Sequence, residues 1–320
     1  MIKGLAFYGE DFFTLKRDYE LYAEALKSGM QPCDYVSNQS VTYTEYNNWS
    51  PKNSGVEEAN GKYSLAGALA NSINTISVKL CMDVGIKNII DLANQLGIDE
   101  KLPEVPSIAL GVVETSLLKM TGAYTAFAND GIYSKPVYIE EIKNNKNQVI
   151  YKIKSIQTHV LEKDIAHNII NMMQGVVDRG TAHGLRSIYG INGDIAGKTG
   201  TTQNQKDGWF MACTPNWIAG SWVGANYPYI HFSSIRNGSG ANTALPIWAK
   251  FYKKLENDSE FKNYVNQQYE FENSIDCEDF IEDNFINKLF KSKNKKDKRT
   301  GLKKKKKKRF FFRRKSKQGA

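Results

Sequence analysis

A cation, two hydroxyl groups and a glycine lie side by side in the segment Lys-Thr-Gly-Thr-Thr at residues 198–202. On the edge of a strand, the ammonium of Lys198 and the hydroxyls of Thr199 and Thr201 could hold a substrate carboxylate by charge-assisted hydrogen bonds. Gly200 has no side chain to block a substrate along that edge, and glycine inside a strand often marks such a close approach. The other interpretation is a polar turn that enters a strand.

A second polar motif, Ser72-Ile73-Asn74, ends a helical pattern. Apolar residues recur every fourth position from residue 65 to residue 73, which is typical of one face of a helix. A second apolar run follows at residues 76–82. Ser72 and Asn74 are therefore predicted at a junction between two helices, where short polar side chains can point into a cleft.

Together these motifs resemble two of the three signatures of penicillin-recognising serine enzymes, Ser-x-Asn and Lys-Thr-Gly. Further similar blocks, among them a W-x-P-x-N loop, extend the resemblance in order from about Tyr22 to Lys250. These blocks are residues 23–32, 49–53, 108–111, 123–131, 176–182 and 222–224. The chain thus resembles the transpeptidase domain of class A penicillin-binding proteins.

The resemblance implies D,D-transpeptidation, in which a serine attacks the D-Ala-D-Ala end of a peptidoglycan stem peptide and a neighbouring amine resolves the acyl-enzyme. Ser72 would relay a proton, and Asn74 would hold the acyl side of the substrate. Lys198 would supply positive potential and a hydrogen bond to Ser72. Thr199 and Thr201 would hold the terminal carboxylate, and the N–H of Thr201 would be one oxyanion donor. Lipid-linked glycan strands and β-lactams are the implied partners, and neither a metal nor a cofactor is implied.

The third signature, Ser-x-x-Lys, is missing. It supplies the nucleophile and should lie just before Tyr22, but residues 11–21 contain no serine. The nearest match, residues 13–16, has Phe13 where the serine belongs. One explanation is a misread or truncated start of the gene, which the otherwise intact pattern favours; the other is a true loss of catalysis. The nucleophile is therefore unassigned.

Charge is distributed unevenly along the chain. The net charge is +9, but residues 291–320 hold 17 basic residues and one acidic residue, whereas residues 1–290 hold 26 basic and 33 acidic residues. We expect the basic tail to be disordered because its like charges repel one another. It is either a solvated tail or a contact for anionic lipid or wall polymers. Because the body is acidic and has no recognition motif, nucleic acid is not expected as a partner.

Composition and resemblance divide the chain into four segments. These are an unmatched leader (1–21), a partial transpeptidase domain (22–254), a poorly packed acidic linker (255–290) and the polybasic tail (291–320). Without 18 consecutive apolar residues, we expect neither a membrane span nor a signal peptide. Class A proteins normally have an anchor and a glycosyltransferase domain, so we expect a C-terminal fragment of a protein at the outer face of the bacterial cytoplasmic membrane.

The cysteines and histidines give no catalytic or metal signal. Cys33, Cys81, Cys213 and Cys277 have no Cys-x-x-Cys spacing, which argues against a zinc site or a redox pair. Cys81 and Cys213 lie in apolar runs and are expected to be buried. The four histidines form no recognisable Ser-His-Asp arrangement, and the family that the chain resembles uses lysine as its base.

The periodicity and the resemblance together predict an α/β (α+β) fold of the β-lactamase and transpeptidase type, an antiparallel sheet flanked by helices and incomplete at its N-terminus. Amphipathic stripes predict helices near 86–96, 117–127 and 165–176. Alternating patterns predict a hairpin from 137–142 and 149–153 and strands at 195–202, 208–214 and 217–225.

The missing N-terminal elements predict poor stability. Without the two strands and the helix that precede the site in the family, strand 217–225 would be an unpaired apolar edge. Apolar faces of the helices at 65–73 and 117–127 would be exposed, at a cost of about 5–10 kcal/mol for a few hundred Å². We therefore expect the chain alone to be insoluble or loosely folded.

Two other functions fit parts of the pattern. A β-lactam hydrolase shares the motifs but needs a group that activates the deacylating water, and no Glu-x-x-x-Asn loop lies at a suitable place. A catalytically inactive domain that binds a peptide or a protein partner is the main alternative to a transpeptidase. It follows if Phe13 truly replaces the serine.

Overall fold

Most helices form where apolar residues recur with helical spacing. The computed structural model describes residues 3–5, 13–15, 18–54, 61–111, 113–225, 227, 229–271 and 275–282. The α-helices are α1 (Asp18–Lys27), α2 (Leu65–Ala70), α3 (Asn74–Val84), α4 (Ile86–Gln95), α5 (Leu117–Ala128), α6 (Lys163–Asp178), α7 (Gly184–Ser187), α8 (Ile235–Gly238), α9 (Ala244–Asn257) and α10 (Lys262–Val265). Helices α4, α5 and α6 are those predicted from amphipathic stripes. Within the described ranges, no helix has the length and apolar character needed to cross a bilayer.

The strands are short except near the Lys-Thr-Gly motif. They are β1 (Lys3–Leu5), β2 (Phe13–Leu15), β3 (Tyr35–Ser37), β4 (Gly61–Ser64), β5 (Val113–Thr115), β6 (Ile132–Ser134), β7 (Glu141–Lys143), β8 (Val149–Lys152), β9 (Gln157–His159), β10 (Ala196–Thr201), β11 (Gly208–Thr214), β12 (Trp217–Val223) and β13 (Phe280–Glu282). Strands β7 and β8 pair as the predicted hairpin.

The largest sheet has the order β1-β12-β11-β10. Strands β10, β11 and β12 are antiparallel neighbours, as the sequence predicts, and β1 adds a parallel strand beside β12. Helices α5 and α9 pack against β12, and α6 packs against β10. The predicted antiparallel sheet flanked by helices is therefore confirmed, and β10 is the outer strand of this sheet as described.

The unpaired edge and the open helix faces expected from the sequence do not occur. Strand β1 pairs with the first three residues of β12, whose Trp217 and Ile218 are 3% and 0% exposed. Every residue of α2 is buried. On α5, the rings of Tyr124 and Phe127 meet the ring of Tyr19 edge-on, with centroids 4.9 and 5.2 Å apart. Tyr19 precedes the segment that resembles the family, so its contribution to the core was not predicted. Loose folding was expected from an unpaired edge and exposed helix faces, and that reason is wrong.

The residues after α9 pack against the domain. Val265 on α10 is 1% exposed, and β13 pairs with β4. The guanidinium Nε of Arg179 donates to both carboxylate oxygens of Asp279 at 3.0 Å. This differs from the poorly packed linker expected at 255–290, because apolar residues interspersed among the acidic ones reach the core. Residues 283–290 and the basic tail lie outside the described residues.

A disulfide bond fastens this C-terminal segment. Cys277 is bonded to Cys33, 244 residues earlier, with their Cα atoms 5.8 Å apart. No sequence pattern marks this pair, because neither cysteine belongs to a short spaced motif. Cys81 and Cys213 are buried free thiols, as predicted. Burial raises the pKa of each of these thiols to about 12, so at neutral pH they are protonated and poor partners for disulfide exchange.

Loss of the disulfide should destabilise the domain. A bond that closes so long a loop restricts the unfolded chain, and its removal costs about 2–5 kcal/mol. We expect Cys277→Ser to melt at the temperature of the reduced wild-type protein and to be insensitive to reductant. Thermal unfolding of both proteins with and without reductant tests this; an unchanged melting temperature of the wild type on reduction would contradict it.

Candidate functional site

The Lys-Thr-Gly-Thr segment lies on the outer strand of the sheet. Lys198 lies opposite Met211 of β11, and Gly200 lies opposite Trp209. The buried residues of β11 fix β10 from one side, while α6 packs over it. The opposite edge of β10 has no strand beside it among the described residues. Lys198 and Thr199 on this strand are nevertheless buried, with 3% and 7% exposure.

Ser72 occupies the turn between α2 and α3. Helix α2 begins at the N-cap Ser64, whose hydroxyl accepts from the N–H of Gly67 at 3.1 Å, and it ends at Ala70. The φ angle of Ser72 is +53°, in the left-handed region that residues with a side chain seldom adopt. Asn74 is the first residue of α3. The predicted helix–helix junction is confirmed, with Ser72 in the turn between the two helices.

The two motifs, 126 residues apart in sequence, meet at the ammonium of Lys198. Its Nζ donates to the hydroxyl of Ser72 and, at 2.8 Å, to the carbonyl of Thr199. It also lies 3.2 Å from a carboxylate oxygen of Asp18 on α1. The side chains of Lys198 and Asp18 are 3% and 1% exposed. Both predicted catalytic residues are thus in direct contact at one buried cation.

The two threonines of the motif are held by different partners. The hydroxyls of Thr199 and Thr181 are hydrogen-bonded at 2.6 Å. The hydroxyl of Thr201 accepts from the N–H of Gly240 at 3.0 Å. A Cβ atom at Gly240 would lie 2.3 Å from the carbonyl oxygen of Gly200, so only glycine lets this backbone pass so close. The segment around Gly240 therefore packs closely against the backbones of β10 and β11.

Asn74 is held by the W-x-P-x-N loop at residues 49–53. Its amide donates to the carbonyl of Lys52 at 2.7 Å. Asn53 accepts from the N–H of Thr75 at 3.1 Å, which satisfies one of the free N–H groups at the start of α3. The hydroxyl of Thr75 in turn donates to Asn38 at 2.6 Å. The loop therefore fixes the helix start that carries Asn74.

An acidic residue closes the turn after β10. The backbone N–H of Asp207 donates to the hydroxyl of Thr202 at 2.9 Å, and the indole N–H of Trp222 donates to its carboxylate at 3.0 Å. Burial raises the pKa of Asp207, and the hydrogen bonds that its carboxylate accepts from Trp222 and from the hydroxyl of Thr202 partly offset that rise. The turn thus anchors the end of the motif strand to β12.

No serine of α1 can replace the missing nucleophile. The nearest sequence match, residues 13–16, includes β2, which pairs with β5. Helix α1 contains no serine, and Ser28 beyond it donates to the carbonyl of Ala25.

The described part of the chain also has no group of three or more His, Cys, Asp or Glu residues that could hold a metal ion. His167 contacts Asp130 rather than the Lys198 cluster.

Sequence reasoning missed three residues that contact the predicted ones. Thr181 lies in a block that the resemblance matched, and Gly240 follows two other small residues, so both had a weak signal. Asp18 lies in the unmatched leader and had none. The ammonium of Lys198 contacts both Ser72 and Thr199. Gly200 and Thr201 lie on the same strand as Lys198, and Asn74 begins α3, two residues after Ser72.

Comparisons with known proteins match most of the chain to one family. Residues 21–226 match the family described as "Penicillin binding protein transpeptidase domain". Penicillin-binding protein 1A of Aquifex aeolicus is 33% identical over 253 residues, which cover 78% of this chain and 33% of that protein. Penicillin-binding protein 1A of Neisseria cinerea is 30% identical over 247 residues, covering 73% of this chain and 30% of that protein. The chain spans about a third of the length of these relatives.

Solved structures share the fold. The crystal structure of penicillin-binding protein 1A from Haemophilus influenzae superposes with a TM-score of 0.72 at 21% identity, over 82% of this chain and 44% of that chain. The PonA1 protein of Mycobacterium tuberculosis, solved in complex with penicillin V, gives a TM-score of 0.62 at 24% identity, over 78% of this chain and 70% of that chain.

The hydrogen bonds of Asn53 should stabilise the start of α3. Asn53→Ala removes an acceptor for the Thr75 N–H and a donor to Asn38, so we expect a loss of about 1–2 kcal/mol in the free energy of unfolding. Urea denaturation measures this loss. Lys52→Ala is the matched control, because only the backbone carbonyl of this exposed residue contacts Asn74. Equal stability of the two variants would contradict the role of Asn53.

Proposed function

Because the chain belongs to the penicillin-binding protein transpeptidase family, we propose that it is the D,D-transpeptidase domain of a peptidoglycan synthase. Its ligands would be stem peptides that end in D-Ala-D-Ala, and β-lactams that resemble them. The ligand would lie along the outer edge of β10, between Gly200 and the junction of α2 and α3. The lipid-linked glycan strands of the wall would be joined through these peptides.

The hydrogen bond from Lys198 to Ser72 carries this proposal. It joins an ammonium on the sheet edge to a hydroxyl on a strained helix junction, and both groups are positioned by separate buried elements. A hydroxyl beside an ammonium can pass a proton while the positive charge remains in place. Ser72 is therefore proposed as the proton relay, with Lys198 as its electrostatic partner.

The substrate carboxylate would be bound by the threonines of the strand edge. The hydroxyl of Thr201 is oriented by the N–H of Gly240, and that of Thr199 by Thr181. An oriented hydroxyl binds an anion without first losing rotational freedom. On the other side of Ser72, the amide of Asn74, fixed to the carbonyl of Lys52, would face the acyl part of the peptide.

A catalytically inactive peptide-binding domain is the second candidate. One observation favours it: Asp18, an acidic residue, contacts Lys198 in a segment that contains no serine. In this case, the cleft would bind stem peptides without acylation. The nucleophile separates the two candidates, because both use the same binding edge.

The disulfide bond supports a location outside the cytoplasm. Structural disulfides persist in oxidising compartments and are rare in reducing ones. The bond between Cys33 and Cys277 therefore agrees with the bacterial cell envelope, at the outer face of the cytoplasmic membrane, as the proposed location. Peptidoglycan is assembled in that compartment.

We expect the chain to form no covalent adduct with fluorescent penicillin, because the Ser-x-x-Lys nucleophile is missing. In a second version, the residues before Tyr22 are replaced with the corresponding segment of the Aquifex aeolicus relative, and labelling should appear. Introducing Ser72→Ala into that version should slow acylation by about 10²–10⁴-fold. Gel fluorescence and mass spectrometry measure the adduct.

Two results would contradict these expectations. Labelling of the unmodified chain at a mapped serine would show that another nucleophile exists. A folded replacement version that binds D-Ala-D-Ala peptide but does not label would instead favour the inactive binding domain.

A further inference from the structure

Three oxygen atoms surround the ammonium of Lys198. They belong to the hydroxyl of Ser72, the carbonyl of Thr199 at 2.8 Å and the carboxylate of Asp18 at 3.2 Å. An ammonium carries three N–H donors and no acceptor. Each donor of Lys198 thus has an oxygen of the protein within reach. A bound carboxylate would have to compete with these groups for the same cation.

Asp18 differs from the other two groups because it carries a full negative charge. It begins α1, where the partial positive charge of the helix N-terminus also stabilises an acid. A buried ion pair is stable only when each charge compensates the other. From outside the pair, opposite charges so close together act as a dipole, whose field decreases faster with distance than that of one cation.

We propose that Asp18 determines the charge preference of the cleft by neutralising Lys198. The inference rests on the proposed function, because it takes the edge of β10 as the ligand site. In the chain as it stands, peptides that end in a carboxylate or in a neutral amide bind almost equally. Removal of the negative charge of Asp18 converts the cleft into an anion site. Glu20, the next acid of α1, is also buried, and it is present whether or not Asp18 carries its charge.

Two ligands and one variant test this. The ligands are an N-acetylated peptide that ends in D-Ala-D-Ala and the same peptide with a C-terminal amide. Their dissociation constants are measured at low ionic strength by NMR titration with the full chain. We expect the wild type to bind the two within about threefold of each other. In Asp18→Asn, which keeps the size and an acceptor, the preference for the carboxylate should rise at least about tenfold.

Glu24→Gln is the matched control. Glu24 is a buried acid on the same helix, but it pairs with Lys27 instead of Lys198. Its replacement removes one negative charge from α1 without freeing the ammonium of the site. We expect the ratio of the two dissociation constants to remain that of the wild type.

The outcomes separate this inference from the proposed function. The inference is overturned if the wild type prefers the carboxylate peptide tenfold, or if the ratio of the two dissociation constants is unchanged in Asp18→Asn. If the variant does not fold, the preference measured for the wild type alone tests the inference. If neither peptide binds any variant, the proposed function fails. In that case, the inference is tested by the melting temperatures of both proteins in sodium acetate and in sodium chloride. Acetate should raise the melting temperature of Asp18→Asn but not that of the wild type. Equal shifts in the two proteins would overturn the inference.

Discussion

A buried ammonium must be surrounded by oxygen atoms, and the site of this domain is organised around that requirement. Lys198 lies on the outer strand of the sheet, and its side chain is only 3% exposed. Without compensation, a charge in such a place would cost several kcal/mol. The hydroxyl of Ser72 and the carboxylate of Asp18, from two other parts of the chain, supply the compensation. The sheet edge, the helix junction and the start of α1 are therefore fixed relative to one another.

The surrounding fold keeps these three elements in place. Strand β10 is held by the buried strand β11 on one side and by α6 above it. The turn at Ser72 is set by α2, all of whose residues are buried, and by the loop at 49–53 that fixes the start of α3. Helix α1 is anchored by Tyr19 in the aromatic cluster of α5. The groups that contact the ammonium thus lie on β10, at the start of α1 and in the short turn between α2 and α3.

Local patterns predicted the elements well, because helix and strand periods leave direct traces in the sequence. The stripe that ends at Leu96 and the strands on both sides of Pro215 form almost where they were predicted. The contact between Ser72 and Lys198 was expected only from the resemblance to a family. No period or spacing relates residues 126 positions apart.

Other features could not be predicted, because they depend on contacts between distant segments. Cys33 and Cys277 have no spacing that marks a disulfide. Tyr19 and Asp18 lie in a segment without recognisable motifs, so their places in the core and at the ammonium had no signal. The acidic composition of residues 255–290 predicted a poorly packed linker, yet in its described part apolar residues such as Val265 are buried against the domain.

The coupling between Ser72 and Lys198 tests the central claim most directly. In a double-mutant cycle, the free energy of unfolding is measured for the wild type, Ser72→Ala, Lys198→Met and the double variant. A hydrogen bond to a charged group predicts a coupling energy of about 1–3 kcal/mol, with the second substitution costing less after the first. Additive effects, with a coupling near zero, would show that the two motifs do not form one site and would contradict the account.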